Sequence, residues 1–148
     1  MESDAASKGV VVTGVIGEDV HIVGIRVLEH AIRNAGFKVV SLGIHNVDKD
    51  FIDAAIESKA DVIMVSSLAG HARLLVSEMR DKCDEAGLKD MLLYLGGHLT
   101  IDDTRWEDTE RIFKDMGFSR VFPPFALPDS ILATLDADLA PRSTNRGN

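Results

Sequence analysis

The sequence predicts a three-layer α/β fold: a five-stranded parallel sheet in the order 2-1-3-4-5, with helices on both faces. Three observations carry that prediction. Short apolar runs rich in Val, Ile and Leu recur along the 148 residues. Segments of helical periodicity separate each run from the next. Glycines stand where those helices must stop, at Gly36, Gly87 and Gly117. Alternation of this kind, with strands apolar throughout, implies parallel strands covered on both faces and joined by right-handed crossovers.

The elements follow in order. Residues 1 to 8 carry no apolar period and read as a disordered leader. Val10-Val11-Val12-Thr13 reads as a buried first strand. In the helix after it, Val23, Val27, Leu28, Ala31 and Ile32 fall on one face with Arg26, Glu29 and Arg33 opposite. It stops at Asn34-Ala35-Gly36, and Phe37 to Gly43 is the second strand. Asp48 or a neighbour caps a helix carrying Phe51, Ile52, Ala55 and Ile56, and Asp61 to Ser66 is the third strand. A long helix runs from about His71 to Ala86, and Met91 to Leu95 is the fourth strand, closing on Gly96-Gly97. Asp103 to Met116 is a further helix, and Phe118 to Phe122 a short fifth strand broken by Pro123-Pro124. Pro128 opens a last helix through about Leu135, and 138–148 reads as a disordered tail, too polar to pack. One domain over 9–137 results, flavodoxin-like or Rossmann-like, with its switch point between strands one and three.

Composition narrows the function. Hydrophobic residues make up 45% and the formal charge is −8, with sixteen basic residues scattered among twenty-four acids. A nucleic-acid footprint needs a basic face, so none is expected. No apolar run approaches a membrane span, and the lone Cys83 has no internal partner, so a cytoplasmic protein is expected.

At the carboxyl ends of the strands, where open α/β sheets bind ligands, three loops converge. The first carries Asp19-Val20-His21-Ile22-Val23-Gly24, the second Ser66-Ser67-Leu68-Ala69-Gly70, and the third Gly96-Gly97-His98. A carboxylate two residues before an imidazole suits a histidine that offers one ring nitrogen to a metal while the other donates to the acid. Small residues at the ends of strands three and four would leave a slot for a planar heterocycle, with the Ser66 and Ser67 hydroxyls as its polar groups. Plainer roles stand beside these. Asp19 also suits a helix cap, Gly96-Gly97 a strand-end turn, and His30 a solvent-facing position. His45, His71 and His98 lie near the same edge but have no zinc spacing. Cys83 reads as an unreactive helix residue and Trp106 as a packing anchor.

These residues resemble the cobalamin-binding domain family, whose pattern is Asp-x-His-x-x-Gly, Ser-x-Leu and Gly-Gly. Forty-one residues separate the first element from the second, and twenty-seven the second from the third, one βαβ unit each. From about Val10 to Leu135 the chain is further similar to the small-subunit family of glutamate (methylaspartate) mutases. That likeness includes Lys82 to Lys89 and Met116 to Pro124. Ser66 to His71 is also similar to the cobalamin domain of methylmalonyl-CoA mutases. In that wider group Gly-Thr commonly follows the prolines, where this chain has Phe125-Ala126.

The resemblance implies that the cofactor's dimethylbenzimidazole tail leaves cobalt and inserts between the sheet and the first helix. His21 then ligates cobalt and Asp19 hydrogen-bonds its distal nitrogen, while Gly24, Ser66, Ser67, Leu68, Gly96 and Gly97 make room for or line the tail. It implies adenosylcobalamin as cofactor and a radical isomerase interconverting (S)-glutamate and (2S,3S)-3-methylaspartate. The partner implied is a larger TIM-barrel-type subunit in a hetero-oligomer such as a heterotetramer, since five βα units leave no chain for a substrate barrel. The alternatives are a corrinoid carrier for a methyltransferase, which usually has a helical cap ahead of the domain, and the cobalamin subunit of another acyl-CoA-type mutase. A phosphoacceptor receiver domain shares the strand order, but Ser66-Ser67 stands where its aspartate would be. A flavodoxin would need a hydroxyl-rich phosphate loop where Glu18-Asp19 stands.

Overall fold

The computed structural model describes residues 8–17, 23–67, 72–97, 99, 105–124 and 126–146. Five strands, β1 (Val10–Val15), β2 (Lys38–Ser41), β3 (Val62–Ser66), β4 (Leu92–Gly96) and β5 (Arg120–Phe122), pair in parallel in the order β2-β1-β3-β4-β5. This is the predicted sheet. The helices are α1 (Val23–Asn34), α2 (Asp48–Ser58), α3 (Ala72–Val76), α4 (Met79–Glu85), α5 (Trp106–Asp115) and α6 (Pro128–Arg146).

Alternate residues of each strand feed two cores. On one face Val12, Ile63, Val65, Leu93, Leu95 and Val121 pack against Phe51 and Ile52 of α2, Val76 of α3, Met79 and Cys83 of α4, and Phe113 of α5. On the other, Val11, Val62, Met64 and Tyr94 meet Ile32 of α1 and Ile131, Leu135 and Leu139 of α6. Three layers result because every strand is apolar on both sides.

The structure differs from the sequence expectations at four places. The long helix expected from His71 to Ala86 is two helices with a turn at Ser77–Glu78. Beyond the turn Met79 and Cys83 reach the core, and the Arg80 guanidinium donates from Nε and Nη2 to the Gly117 carbonyl, 3.0 and 2.8 Å away. Arg80 thereby places a cation at the carboxyl end of α5, where it complements the helix dipole. Glycine is required at 117, since φ is +108° and a Cβ would lie 2.6 Å from Arg80.

The last helix continues to Arg146, so the disordered tail expected from 138 is corrected. Leu139 extends the Ile131–Leu135 stripe by another turn and is buried, and Asp138 accepts from Arg120 of β5 and from the Tyr94 hydroxyl of β4. The N-cap of α2 is Val47, whose amide donates to the Asp50 carboxylate in the first turn at 2.9 Å, while Asp48 begins the helix and pairs with Lys82.

The fourth difference is Glu29. Expected on the polar face of α1, it is 1% exposed, while Val27, expected in the core, is 55% exposed. Thr13 and Ser41, register partners on β1 and β2, each donate a hydroxyl hydrogen to Glu29 Oε2, at 2.5 and 2.7 Å. Arg26 reaches its other oxygen at 3.4 Å. A buried carboxylate is tolerable only with such donors. Residues 1–7 of the expected leader lie outside the described residues, and Lys8 is tied by its amide to the Gly36 carbonyl.

Candidate cofactor site

Parallel pairing brings the carboxyl ends of β1, β3 and β4 to one edge, and backbone hydrogen bonds continue past the strands to hold them level. The Ile16 amide donates to the Ser66 carbonyl and the Ser67 amide to the Gly96 carbonyl, both at 3.0 Å. Asn46 fixes where the first loop departs. It is buried, bridges Ile16, accepts from the Gly17 amide at 2.8 Å, and donates its Nδ2 to the carbonyls of Gly43 and Val15. Sequence reasoning missed this residue; its signal was an amide in a short loop between strand and helix, where Asn commonly satisfies backbone groups.

Beside this edge, on the α1/α6 face, lies a cavity of about 340 Å³. Ile25, Val27 and Leu28 of α1 form one wall, and Ala126, Pro128 and Ile131 the opposite one. Met64, Ser66, Gly96, Gly97 and Phe122 form the floor, with Pro123 and Pro124 at the rim. The surroundings are mostly apolar with one hydroxyl at the floor, the makeup of a site for a small, flat, largely apolar group.

The glycines matter for different reasons. Gly96 is registered with Phe122, and a Cβ there would meet Phe122 only at ordinary contact distance, 3.6 Å, so its gift is space. Gly97 has φ +107°, a conformation that side chains disfavour. Of the expected site residues, the structure therefore brings Ser66, Gly96 and Gly97 together around one cavity. Gly24 sits in the first turn of α1, the helix that walls it. Ser67 does not line the cavity. It is buried directly after β3, and its Oγ has no hydrogen-bond partner among the described residues. A buried hydroxyl left without any bond costs about 1–3 kcal/mol. Asp19, His21 and Leu68, with His71 and His98, lie outside the described residues. His30 is exposed and bonded to Asn34, and His45 is exposed with φ +63°. No group of three potential metal-ligating side chains occurs among the described residues.

Behind the floor, burial and then the bond to Asp138 hold the Tyr94 phenol well above its ordinary titration range, partly opposed by Arg120. Its ring packs tilted against Phe122 at 5.6 Å, so the polar Tyr94–Asp138–Arg120 cluster braces both a floor residue and the α6 wall.

An open parallel sheet with an apolar slot beside its switch point defines an α/β ligand-binding domain. A sequence model described as the B12 binding domain matches residues 9–116, and the chain belongs to that family. It is similar to the glutamate mutase sigma subunit of Clostridium tetanomorphum, 48% identical over 128 residues, covering 86% of this chain and 93% of that one. The glutamate mutase sigma subunit 2 of Haloarcula marismortui is 45% identical over 133 residues, covering 90% and 89%.

Among solved structures, the monomethylamine corrinoid protein of Methanosarcina barkeri superposes with a TM-score of 0.65 at 21% identity, over 78% of this chain and 52% of that one. The receiver domain of a putative response regulator, NarL, from Mycobacterium tuberculosis reaches 0.64 at 12%, over 90% and 98%. These two likenesses show the fold alone.

Proposed function

We propose that this chain is the cobalamin-binding subunit of glutamate mutase, one domain starting at about residue 9, taking adenosylcobalamin with its base detached. The observation that carries the reading is the apolar cavity floored by Ser66, Gly96 and Gly97 beside the root of the loop that bears Asp19 and His21. Extensive similarity to glutamate mutase sigma subunits supports it.

The residues present fit a dimethylbenzimidazole nucleotide. Ile25, Leu28, Phe122 and Ile131 offer apolar contact to the faces of a ring, Gly96 leaves it room, and the Ser66 hydroxyl at the floor would be available to a ring nitrogen. Ser67, next in sequence, has a hydroxyl with no hydrogen-bond partner among the described residues. His21 would hold cobalt through one imidazole nitrogen, with Asp19 accepting from the other, an arrangement that fixes the tautomer and raises the basicity of a ligand. Leu68 would line the base, and Gly24 would let the nucleotide approach α1. When bound, the cofactor supplies radical chemistry for the carbon-skeleton rearrangement between (S)-glutamate and (2S,3S)-3-methylaspartate. The protein contributes binding, orientation and tuning.

A larger TIM-barrel-type subunit holds the substrate, so this chain alone is inactive and works as part of a hetero-oligomer, a heterotetramer in the simplest symmetric case, in the cytoplasm. No described helix is long and apolar enough to cross a membrane.

The test is electron paramagnetic resonance of the Co(II) cofactor bound to the chain. Histidine labelled with ¹⁵N is expected to change the axial nitrogen splitting, and His21→Ala to remove that dependence while circular dichroism stays native. A splitting insensitive to the label would mean that the cofactor's own base remains on cobalt.

A further inference from the structure

Glu29 is the buried titratable group for which cofactor ligation and tail contact have no use. It sits in the middle of α1 on the side turned to the sheet, level with Ile25, Leu28 and Ile32, where an aliphatic residue would satisfy helical periodicity. Its hydrogen-bond donors are not distributed evenly. Thr13 belongs to β1 and Ser41 to β2, and Arg26 bonds both the carboxylate and the Ser41 hydroxyl. Thr13 and Ser41 stand on the two strands that give no residue to the cavity lining, whose floor is built by β3, β4 and β5 through Met64, Ser66, Gly96 and Phe122.

An unfilled apolar space is unfavourable, because the lining atoms lack contacts that a small shift of the helix would supply. Ile25 and Leu28 stand on the wall that such a shift would bring down onto Phe122. A helix held only by hydrophobic contact is free to slide, since that attraction has no direction. A carboxylate with two short, directional bonds to neighbouring strands is not.

We infer that Glu29 is a positioning residue: it tethers α1 to β1 and β2, so that the cavity over β3 and β4 stays open for a flat heterocycle. This rests on the cofactor reading of the cavity. Replacing a buried, hydrogen-bonded charge by an apolar residue of similar size is often neutral or stabilising. Glu29→Met therefore separates tethering from general support of the fold. Glu29→Gln keeps an amide oxygen that accepts from both hydroxyls and is the conservative control.

The experiment compares the wild-type chain with both variants in three measurements. These are urea unfolding, nuclear Overhauser contacts between the Ile25 and Leu28 methyls and the Phe122 ring in the ligand-free protein, and titration with α-ribazole, the free dimethylbenzimidazole nucleoside. Glu29→Met is expected to keep or raise the urea midpoint, to gain methyl-to-ring contacts as α1 closes, and to bind α-ribazole at least about tenfold more weakly, the cost of losing a preorganised site. Glu29→Gln should stay within about threefold of wild type.

Unchanged α-ribazole affinity in Glu29→Met would overturn the inference. So would a fall in stability that accounts for the whole loss of affinity, or Glu29→Gln behaving like Glu29→Met. If the wild-type chain itself ignores α-ribazole, the nucleotide reading of the cavity fails instead. The methyl-to-ring contacts then still decide whether Glu29 holds the helix in place.

Discussion

The two faces of the sheet are built to opposite ends. On the α2–α5 face, aromatic and aliphatic side chains from four helices interlock with alternate strand residues, and Phe51, Phe113, Leu93 and Leu95 are fully buried. On the α1/α6 face the apolar packing is confined to the end near Val11, Tyr94 and Leu135. Toward the strands' carboxyl ends it gives way to a cavity, and polar fastenings hold the two helices, Glu29 on α1 and, at the packed end, Asp138 on α6. Packing supplies stability on one side, while directional bonds preserve an opening on the other. A domain that must hold a large cofactor needs both, because a face that closed as tightly as its opposite would leave nothing to fill.

The difference can be broken most forcefully from the packed side. Phe51→Ala removes a fully buried ring from the α2–α5 face and is expected to cost about 3–5 kcal/mol in urea unfolding, with α-ribazole affinity of the folded fraction nearly unchanged.

The converse change is Gly96→Leu. It should leave stability within about 1.5 kcal/mol, because its Cβ has ordinary clearance from Phe122. By filling the floor it should weaken α-ribazole by about 100-fold, near 2.7 kcal/mol, in isothermal titration. A stability loss as large as that of Phe51→Ala, with affinity intact, would erase the contrast between the faces.

The smallest effect sharpens the account of the packed face. Burial pushes the Cys83 thiol up to about 11 from an ordinary 9.0, with Arg80 partly opposing it. Between those values the unfolded chain releases a proton that the folded chain keeps. The contribution is thus complete below about pH 9, and stability falls as pH rises through that window, by at most about 1.4 kcal/mol per unit. Cys83→Ala should flatten this slope in urea titrations taken from pH 8.5 to about 11. An unchanged slope would place the titrating group elsewhere.

How far the sequence revealed this arrangement depended on whether the information was periodic. Strand order and most helices were legible because Val10–Val12, Val62–Val65 and Leu92–Leu95 are apolar without alternation and glycines punctuate the helices. The convergence of Ser66, Gly96 and Gly97 followed from strand order alone. Glu29 was not legible, since periodicity places any acid on the wet side unless its partners are known. The clue was a pair of hydroxyls, Thr13 and Ser41, on neighbouring strands in the same register, both facing one helix. Asn46 escaped for the same reason: its bonds are to backbone groups that only the fold brings near. The continuation of α6 past Leu135 hung on Leu139 and Asp138, isolated in a polar segment whose composition argued the other way.

Tyr94 is the one tyrosine of the chain and Trp106 the one tryptophan, and they stand on opposite sides of the sheet. With its ring against Phe122, the tyrosine is a natural optical gauge of the slot. Near-ultraviolet circular dichroism registers any displacement of that neighbour, and the indole signal serves as an internal reference from the silent side.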